Sequence, residues 1–296
     1  MPRPTPIRGL GPESRLAEAA RRIVANRLAD VRHEEDTLAT RLTEDGVHDM
    51  RVSTRRLRAA LKVFRDLGAL APLEREVKKL QDALGEVRDV HVQGAWLAQA
   101  ARKEKTSKRA GLLALRTSVE SQLDAKEKKL RRTLTRWADR TVPALLREAK
   151  RLDGPGRYGG QRVRQQLRRR LRAVELLLED YSAAPDALTA HELRKTVKKL
   201  RYEAEIFRPA LRRRMEALLE ALVPLQEVLG ELHDSDVRLG LLEGFAAEGS
   251  ATERTAARTL LERVREERAG RAARTARELQ RWHAEELARG LRRLLK

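Results

Sequence analysis

Residues 47–64, VHDMRVSTRRLRAALKVF, return 143 positions later as residues 190–207, AHELRKTVKKLRYEAEIF. In each stretch a histidine is followed by cations at +3, +7 and +10: His48, Arg51, Arg55 and Arg58, then His191, Arg194, Lys198 and Arg201. Steps of three and four keep side chains on one helical face with neighbours ~5–6 Å apart. Each copy therefore predicts a helix with a ladder of positive charge. The apolar residues Val47, Met50, Thr54, Leu57, Leu61 and Phe64 form a second stripe one residue earlier. One residue is ~100° of rotation, so the cations flank the buried seam and do not stand opposite it.

Working outward, the repetition extends to most of the chain. Leu16, Ala20, Ile23, Val24, Leu28, Val31 and Leu38 recur at helical spacing before the first ladder, and Val163, Leu167, Leu171 and Val174 do so before the second. Behind the ladders, LQDALGEVRDVHV (80–92) and LQEVLGELHDSDV (225–237) align at an offset of 145, as do Trp137 and Trp282. The predicted fold is all-α: two tandem four-helix bundles related by an internal duplication, built of long antiparallel helices. Residues 1–12, with four prolines, read as a flexible N-terminal tail. Residues 13–150 form the first predicted bundle, 151–160 (RLDGPGRYGG) the linker and 161–296 the second bundle. In the first bundle the pattern predicts one helix from near Pro72 through residue 92, another over 94–109 and a return of helical periodicity over 110–141. Two glycines inside predicted helices, Gly85 and Gly230, predict close helix approach, since Gly otherwise costs ~1 kcal/mol relative to Ala.

Composition narrows the partners. The 296 residues carry 64 Lys and Arg against 44 Asp and Glu, a formal charge of +20, which is the electrostatic footprint of a polyanion binder. There is no cysteine, which excludes disulfides, thiolate nucleophiles and cysteine-based metal sites and fits a reducing compartment. Apolar runs fall short of the ~18 residues of a membrane span, and the N-terminus lacks the apolar core of a signal peptide. A cytoplasmic protein that does not insert into membranes is expected.

The two HxxRxxx(R/K)xxR stretches, each followed by its LGE-containing partner, resemble the CHAD family, the conserved histidine α-helical domain. The resemblance covers roughly residues 13–290 and implies two four-helix bundles about a pseudo-twofold, with a basic channel or surface that binds inorganic polyphosphate. It also implies association with polyphosphate granules. Carried over by position, the ligand residues are His48, Arg51, Arg55, Arg58 and Lys62, then His191, Arg194, Lys198 and Arg201. The adjacent cations Arg56, Lys195 and Lys199 are grouped with them. Arg21, Arg27, Arg164 and Arg170, matched at the same offset on the preceding helices, are candidates for a second wall. The chain departs from the pattern at His91, where the second half has Asp236, and at Lys62, where the second ladder has Glu205.

No catalytic residue, metal ligand or cofactor is assigned. The helical neighbours of His48 and His191 at +3, +4 and +7 offer no carboxylate for a metal, and neither ladder sets a nucleophile beside a base with an orienting acid. Two other readings compete with polyphosphate binding. Sequence-independent nucleic-acid binding suits the charge, but the chain has only nine aromatic residues and no stacking platform. A condensed-phosphate hydrolase is the less favoured reading. Some members of the family carry a triphosphatase domain whose ExExK signature is spelled here by Glu74, Glu76 and Lys78, but these lie in a predicted helix in a chain with no strand for a catalytic tunnel. Finally, cations around the histidines disfavour their protonation, and a bound polyanion would reverse this.

Overall fold

In a computed structural model of the chain, the structure describes residues 4–284 and 287–295. Residues 1–3 of the predicted tail and 285, 286 and 296 of the second predicted bundle lie outside the described residues. The helices are α1 (Leu16–Thr40), α2 (Glu44–Val63), α3 (Leu70–Arg102), α4 (Thr106–Glu120), α5 (Leu123–Arg136), α6 (Val142–Arg151), α7 (Gln161–Ala183), α8 (Ala187–Glu248), α9 (Ala251–Ala284) and α10 (Leu287–Leu294). A 3₁₀ turn, Arg65–Leu67, separates α2 from α3, and a π turn, Trp137–Thr141, joins α5 to α6. Among the described residues there is no strand, only one isolated bridge between Arg15 and Arg157, and the fold is all-α. No helix among them is long and apolar enough to cross a membrane.

The chain forms two compact units, residues 1–95 with 118–160, and 96–117 with 161–296. The boundary after Gly160 falls at the end of the glycine-rich segment, while residues 96–117, read from sequence as part of the first bundle, cluster with the second unit. This follows from α3, which runs unbroken past Gly94 to Arg102, where two helices were expected. Helical propensity over VHVQGAWLAQAAR carries the segment through, and the break comes within the charge run, at 103–105.

The first unit is built on the expected seams. Val47, Met50, Thr54, Leu57, Leu61 and Phe64 of α2 are all buried, as are Ile23, Val24, Leu28, Val31 and Leu38 of α1, and the two helices pack together. Burying each such side chain contributes roughly 1.5–3 kcal/mol. Thr43 caps α2, its hydroxyl accepting from Gly46 N at 3.1 Å, with Glu44 and Asp45 in the first turn complementing the helix dipole. Gly46 is required there: a Cβ would come within 2.8 Å of the Leu38 side chain, which is itself buried. At the π turn, Pro143 cannot donate the backbone bond that would continue the ladder, and the register widens.

Residues 5–12 of the expected tail make contacts with the helices. Arg22 donates to the carbonyls of Arg8 and Gly9, Arg27 to that of Thr5 at 3.2 Å, and Gly159 N to Pro12 O at 2.8 Å, so residues 5–12 lie along α1. The expected linker is likewise packed, with Leu152 and Tyr158 fully buried.

In the second unit, Val163, Leu167, Leu171 and Val174 of α7 pack on Leu193, Val197, Leu200 and Phe207 of α8. Asp186 caps α8 by accepting from Leu188 N and Thr189 N at 2.8 and 2.9 Å. The backbone of α8 breaks at Arg212 (φ 20°, ψ −103°), dividing it into a ladder-bearing first rod and a second rod that packs along α9. Trp137 and Trp282 are core residues, each 2% exposed.

Candidate functional site

Each ladder is half sunk in its unit, as a stripe one residue from a buried seam should be. On α2, His48, Arg51, Arg55 and Arg58 are partly exposed, Lys62 is exposed and Arg56 is buried. On α8, His191, Arg194, Lys198 and Arg201 are partly exposed, and Lys195 and Lys199 are exposed. From His48 to Lys62 the rungs span about 21 Å of helix axis at 1.5 Å per residue.

The helix behind each ladder supplies further groups. In the first unit α3 places Gly85 against Arg51, so that a Cβ at Gly85 would meet Arg51 Nε at 3.5 Å, ordinary contact. Gly230, at the corresponding position of α8, faces open space. The expectation that these glycines permit close helix approach is therefore corrected. Gly85 has the Arg51 guanidinium as its neighbour at ordinary contact distance, and Gly230 has none within 4 Å. Farther along α3, the charge of Arg88 acts on His48, while Arg88 Nη1 reaches Glu44 at 2.6 Å. Asp89 lies within electrostatic reach of Arg51. In the second unit His233 takes the place held by Arg88 at the offset of 145, its ring 5.1 Å from that of His191 and tilted by 38°. Gln226 Oε1 accepts from Arg201 at 3.1 Å. Arg88, His233 and Gln226 were not assigned from the sequence, although the third residue after each LG pair carried the signal.

The difference between Lys62 and Glu205 resolves into two routes to one arrangement. Glu205 pairs with Arg201 one turn away on α8 at 3.2 Å. Its counterpart in the first unit is Glu74 of α3, which accepts from Arg58 and lies 3.4 Å from Lys62. Arg58 and Arg201 thus each hold one carboxylate, drawn from α3 in the first unit and from α8 itself in the second. Although burial alone would raise it, the hydrogen bond and charge of Arg58, with Lys62, hold the Glu74 carboxyl below its usual value.

Burial and the charges of Arg88 and Arg55 lower the pKa of His48. Burial, with the charges of Arg194, His191 and Lys198, lowers that of His233 to about 4. His233 is therefore neutral near pH 7, inside a field that favours any incoming negative charge.

The four helix cations considered for a second wall are placed differently from the ladders. Arg21 Nε donates to Leu152 O at 2.8 Å, and Arg27 is buried, paired with Asp30 at 2.8 Å. Arg170 pairs at 2.8 Å with Glu203, a buried carboxylate on the ladder-bearing rod of α8. Arg164 is partly exposed on the first turn of α7. Arg21, Arg27 and Arg170 thus engage protein partners that have structural work to do. His91, where the second half has Asp236, is partly exposed on α3, and Asp236 accepts from Arg268 Nε at 2.5 Å.

Glu74, Glu76 and Lys78 stand in the first turns of α3. Glu74 is held by Arg58, Glu76 by Lys79 and Arg136 at 2.7 and 3.2 Å, and Lys78 by Asp82 at 2.5 Å. Each of the three is thus engaged by a different set of partners.

Comparison with known proteins places this architecture. No curated protein matches the sequence. The crystal structure of the CHAD domain from the plant Ricinus communis superposes with a TM-score of 0.65 at 26% identity, covering 100% of this chain and 96% of that one. PptA from Streptomyces chartreusis superposes with a TM-score of 0.64 over 90% of this chain and all of that one; at 16% identity the likeness is one of fold. The family model of the CHAD domain matches residues 22–243, a span that contains both ladders and both LGE segments. The chain belongs to the CHAD domain family.

Proposed function

We propose that the protein binds inorganic polyphosphate, without catalysis, through the two ladders. The observation that carries this reading is that each ladder is a continuous, half-buried cationic track backed by a second helix that adds Arg88 in one unit and His233 in the other. Neutral imidazole and guanidinium donors along such a track suit a flexible chain of phosphates, because Arg offers a planar fork and Lys a point charge to whichever oxygen lies nearest. Phosphates in a condensed chain are closer together than the rungs, so each cation can touch more than one. The family's association with polyphosphate supports the same reading, as does its link to cytoplasmic polyphosphate granules.

Single-stranded nucleic acid is the competing ligand, and the placement of the aromatics weighs against it. Phe64 and Phe207, the rings at the ends of the two ladder stretches, are 2% and 1% exposed, and so are committed to the core. With those two rings buried, a nucleic acid loses them as stacking partners at the ladder ends and depends more on what its phosphates give.

The test is a titration of the full chain with polyphosphates of graded length and with RNA of matched charge, each at two salt concentrations. About eight phosphate contacts at a single-strand slope of ~0.7 each predict a log–log salt slope near −5 to −6. Affinity that grows with polyphosphate length and exceeds that for RNA at both salts is expected. Equal affinity for the two polymers would transfer the function to general polyanion binding.

A further inference from the structure

The second unit holds another concentration of guanidinium groups, away from its ladder. A cavity of about 260 Å³ is lined by Trp96 and Lys103 from the 96–117 segment, by Arg238 of α8, and by Arg263, Glu267 and Arg271 of α9. Four cations face one carboxylate. Glu267 is shared among three arginines at long range, 3.5 Å from Arg263, 3.6 Å from Arg271 and 4.0 Å from Arg238. None of these is the short, two-pronged pairing that an Arg makes with a carboxylate of its own.

The arginines are nonetheless held in position. Arg271 donates to Ser235 Oγ, which is fully buried, at 2.5 Å and to Glu231 O at 3.3 Å. The Arg238 guanidinium lies over the Trp96 ring at 5.0 Å from its centroid, with only 21% of the side chain exposed. Stacking of this kind fixes the plane of a guanidinium and leaves its edge donors available. Burial, with the Arg271 charge, presses the Arg238 pKa below its ordinary value, against Asp234 and Glu267 acting the other way. Excess positive charge is thus fixed in a recess, offset in part by Glu267, by Asp234 acting on Arg238 and by Glu104, 3.8 Å from Arg263.

We infer that this cavity is a separate binding site for one phosphoryl group of a small phosphorylated ligand, held by Arg238, Arg263 and Arg271 beside Trp96. The inference does not rest on the ladders. Arg238 is five residues from His233, about 140° around the helix, so it leaves α8 on another face. At the offset of 145 that relates the two halves in sequence, the three arginines correspond to Gln93, Ser118 and Lys126, and Glu267 to Gln122. The arginine triad is therefore a property of the second half alone. The ligand is a small one because the recess is a pocket of limited volume, about 260 Å³, rather than a track. The phosphoryl group can come from orthophosphate, pyrophosphate or a mononucleotide, whose base has the Trp96 ring beside it.

Intrinsic tryptophan fluorescence reads the site, since the other two tryptophans, Trp137 and Trp282, are each 2% exposed. The full chain is titrated separately with orthophosphate, pyrophosphate and AMP. A saturable change is expected with at least one of them, weakened tenfold or more in Arg238→Gln and in Arg263→Gln, and kept within twofold in the ladder variant Lys198→Glu. Arg263 lies at the rim, 40% exposed, so its variant tests binding even if Arg238→Gln perturbs folding. Tighter binding of AMP than of orthophosphate identifies stacking on Trp96; equal binding identifies a site for the phosphoryl group alone. No saturable signal with any of the three, or affinity unchanged in Arg263→Gln, overturns the inference. So does a signal lost in Lys198→Glu but kept in both arginine variants.

Discussion

Protons should be taken up when a polyanion binds the second ladder, and His233 sets the size of the effect. In the free protein its pKa lies at about 4, against 6.5 for an ordinary histidine, because the ring is half buried among Arg194, His191 and Lys198. Phosphate charge placed on those cations removes the repulsion and restores the pKa towards its ordinary value. Full restoration would strengthen binding about 30-fold between pH 7.5 and pH 5, which is ~2 kcal/mol. Solvent screening of a partly exposed ring reduces this to roughly 3- to 10-fold. The direction is fixed: affinity rises as pH falls. The folded state without ligand behaves in the opposite way. With the pKa lowered on folding, the unfolded chain binds more protons between pH 6.5 and about 4, so stability declines as pH falls through that window. Calorimetric titration of long-chain polyphosphate near pH 5, 6 and 7.5, in buffers of different ionisation heat, measures both the affinity and the protons taken up. His233→Gln should lose most of the pH dependence, and His48→Gln, whose pKa is lowered for similar reasons, should lose a smaller part. Equal affinity across the range, or the same proton uptake in both variants, would refute the reasoning.

Three further outcomes follow from individual contacts. Arg170→Ala leaves Glu203 buried without its cation and should destabilise the protein by ~3 kcal/mol in urea unfolding; pairing it with Glu203→Leu should recover much of the loss. An unaltered midpoint for the single variant would mean that the pair is not structural. Glu74→Gln releases Arg58 and Lys62 from their shared carboxylate and should raise polyphosphate affinity a few-fold, whereas a fall in affinity would show that Glu74 organises the rungs. Gly46→Val drives side-chain atoms into buried Leu38 and should cost about 1–3 kcal/mol; a thermal midpoint equal to the parent's would contradict the close approach of α1 and α2.

Where the sequence was informative, the reason is periodicity. The seam from Val47 to Phe64 and that of α1 are spelled by local spacing, and every residue assigned to them is buried. The same spacing placed the rungs beside the seam, where they are half exposed. Contacts that depend on distant residues were not legible. Glu74 and Glu205 occupy different sequence positions yet take the equivalent arginines Arg58 and Arg201, and only the packing of α3 on α2 reveals the equivalence. The docking of residues 5–12 depends on side-chain donors reaching backbone carbonyls, an interaction that any residue can accept and no pattern announces. The proline-rich composition of that segment therefore suggested mobility. Gly85 and Gly230 misled for a related reason: what stands beside each glycine is decided by its neighbours, the Arg51 side chain in one case and open space in the other.

The central claim is that the ladders bind polyphosphate, and charge reversal tests it most directly. Arg55→Glu and Lys198→Glu each change one partly exposed rung, on α2 and α8 respectively. Titrated with long-chain polyphosphate at ~0.1 M salt, each should weaken binding tenfold or more and flatten the log–log salt slope by one to two units, since a reversed charge removes about two ion releases. The melting temperature without ligand should remain close to that of the parent. Binding and salt slope unchanged in both variants would contradict the account.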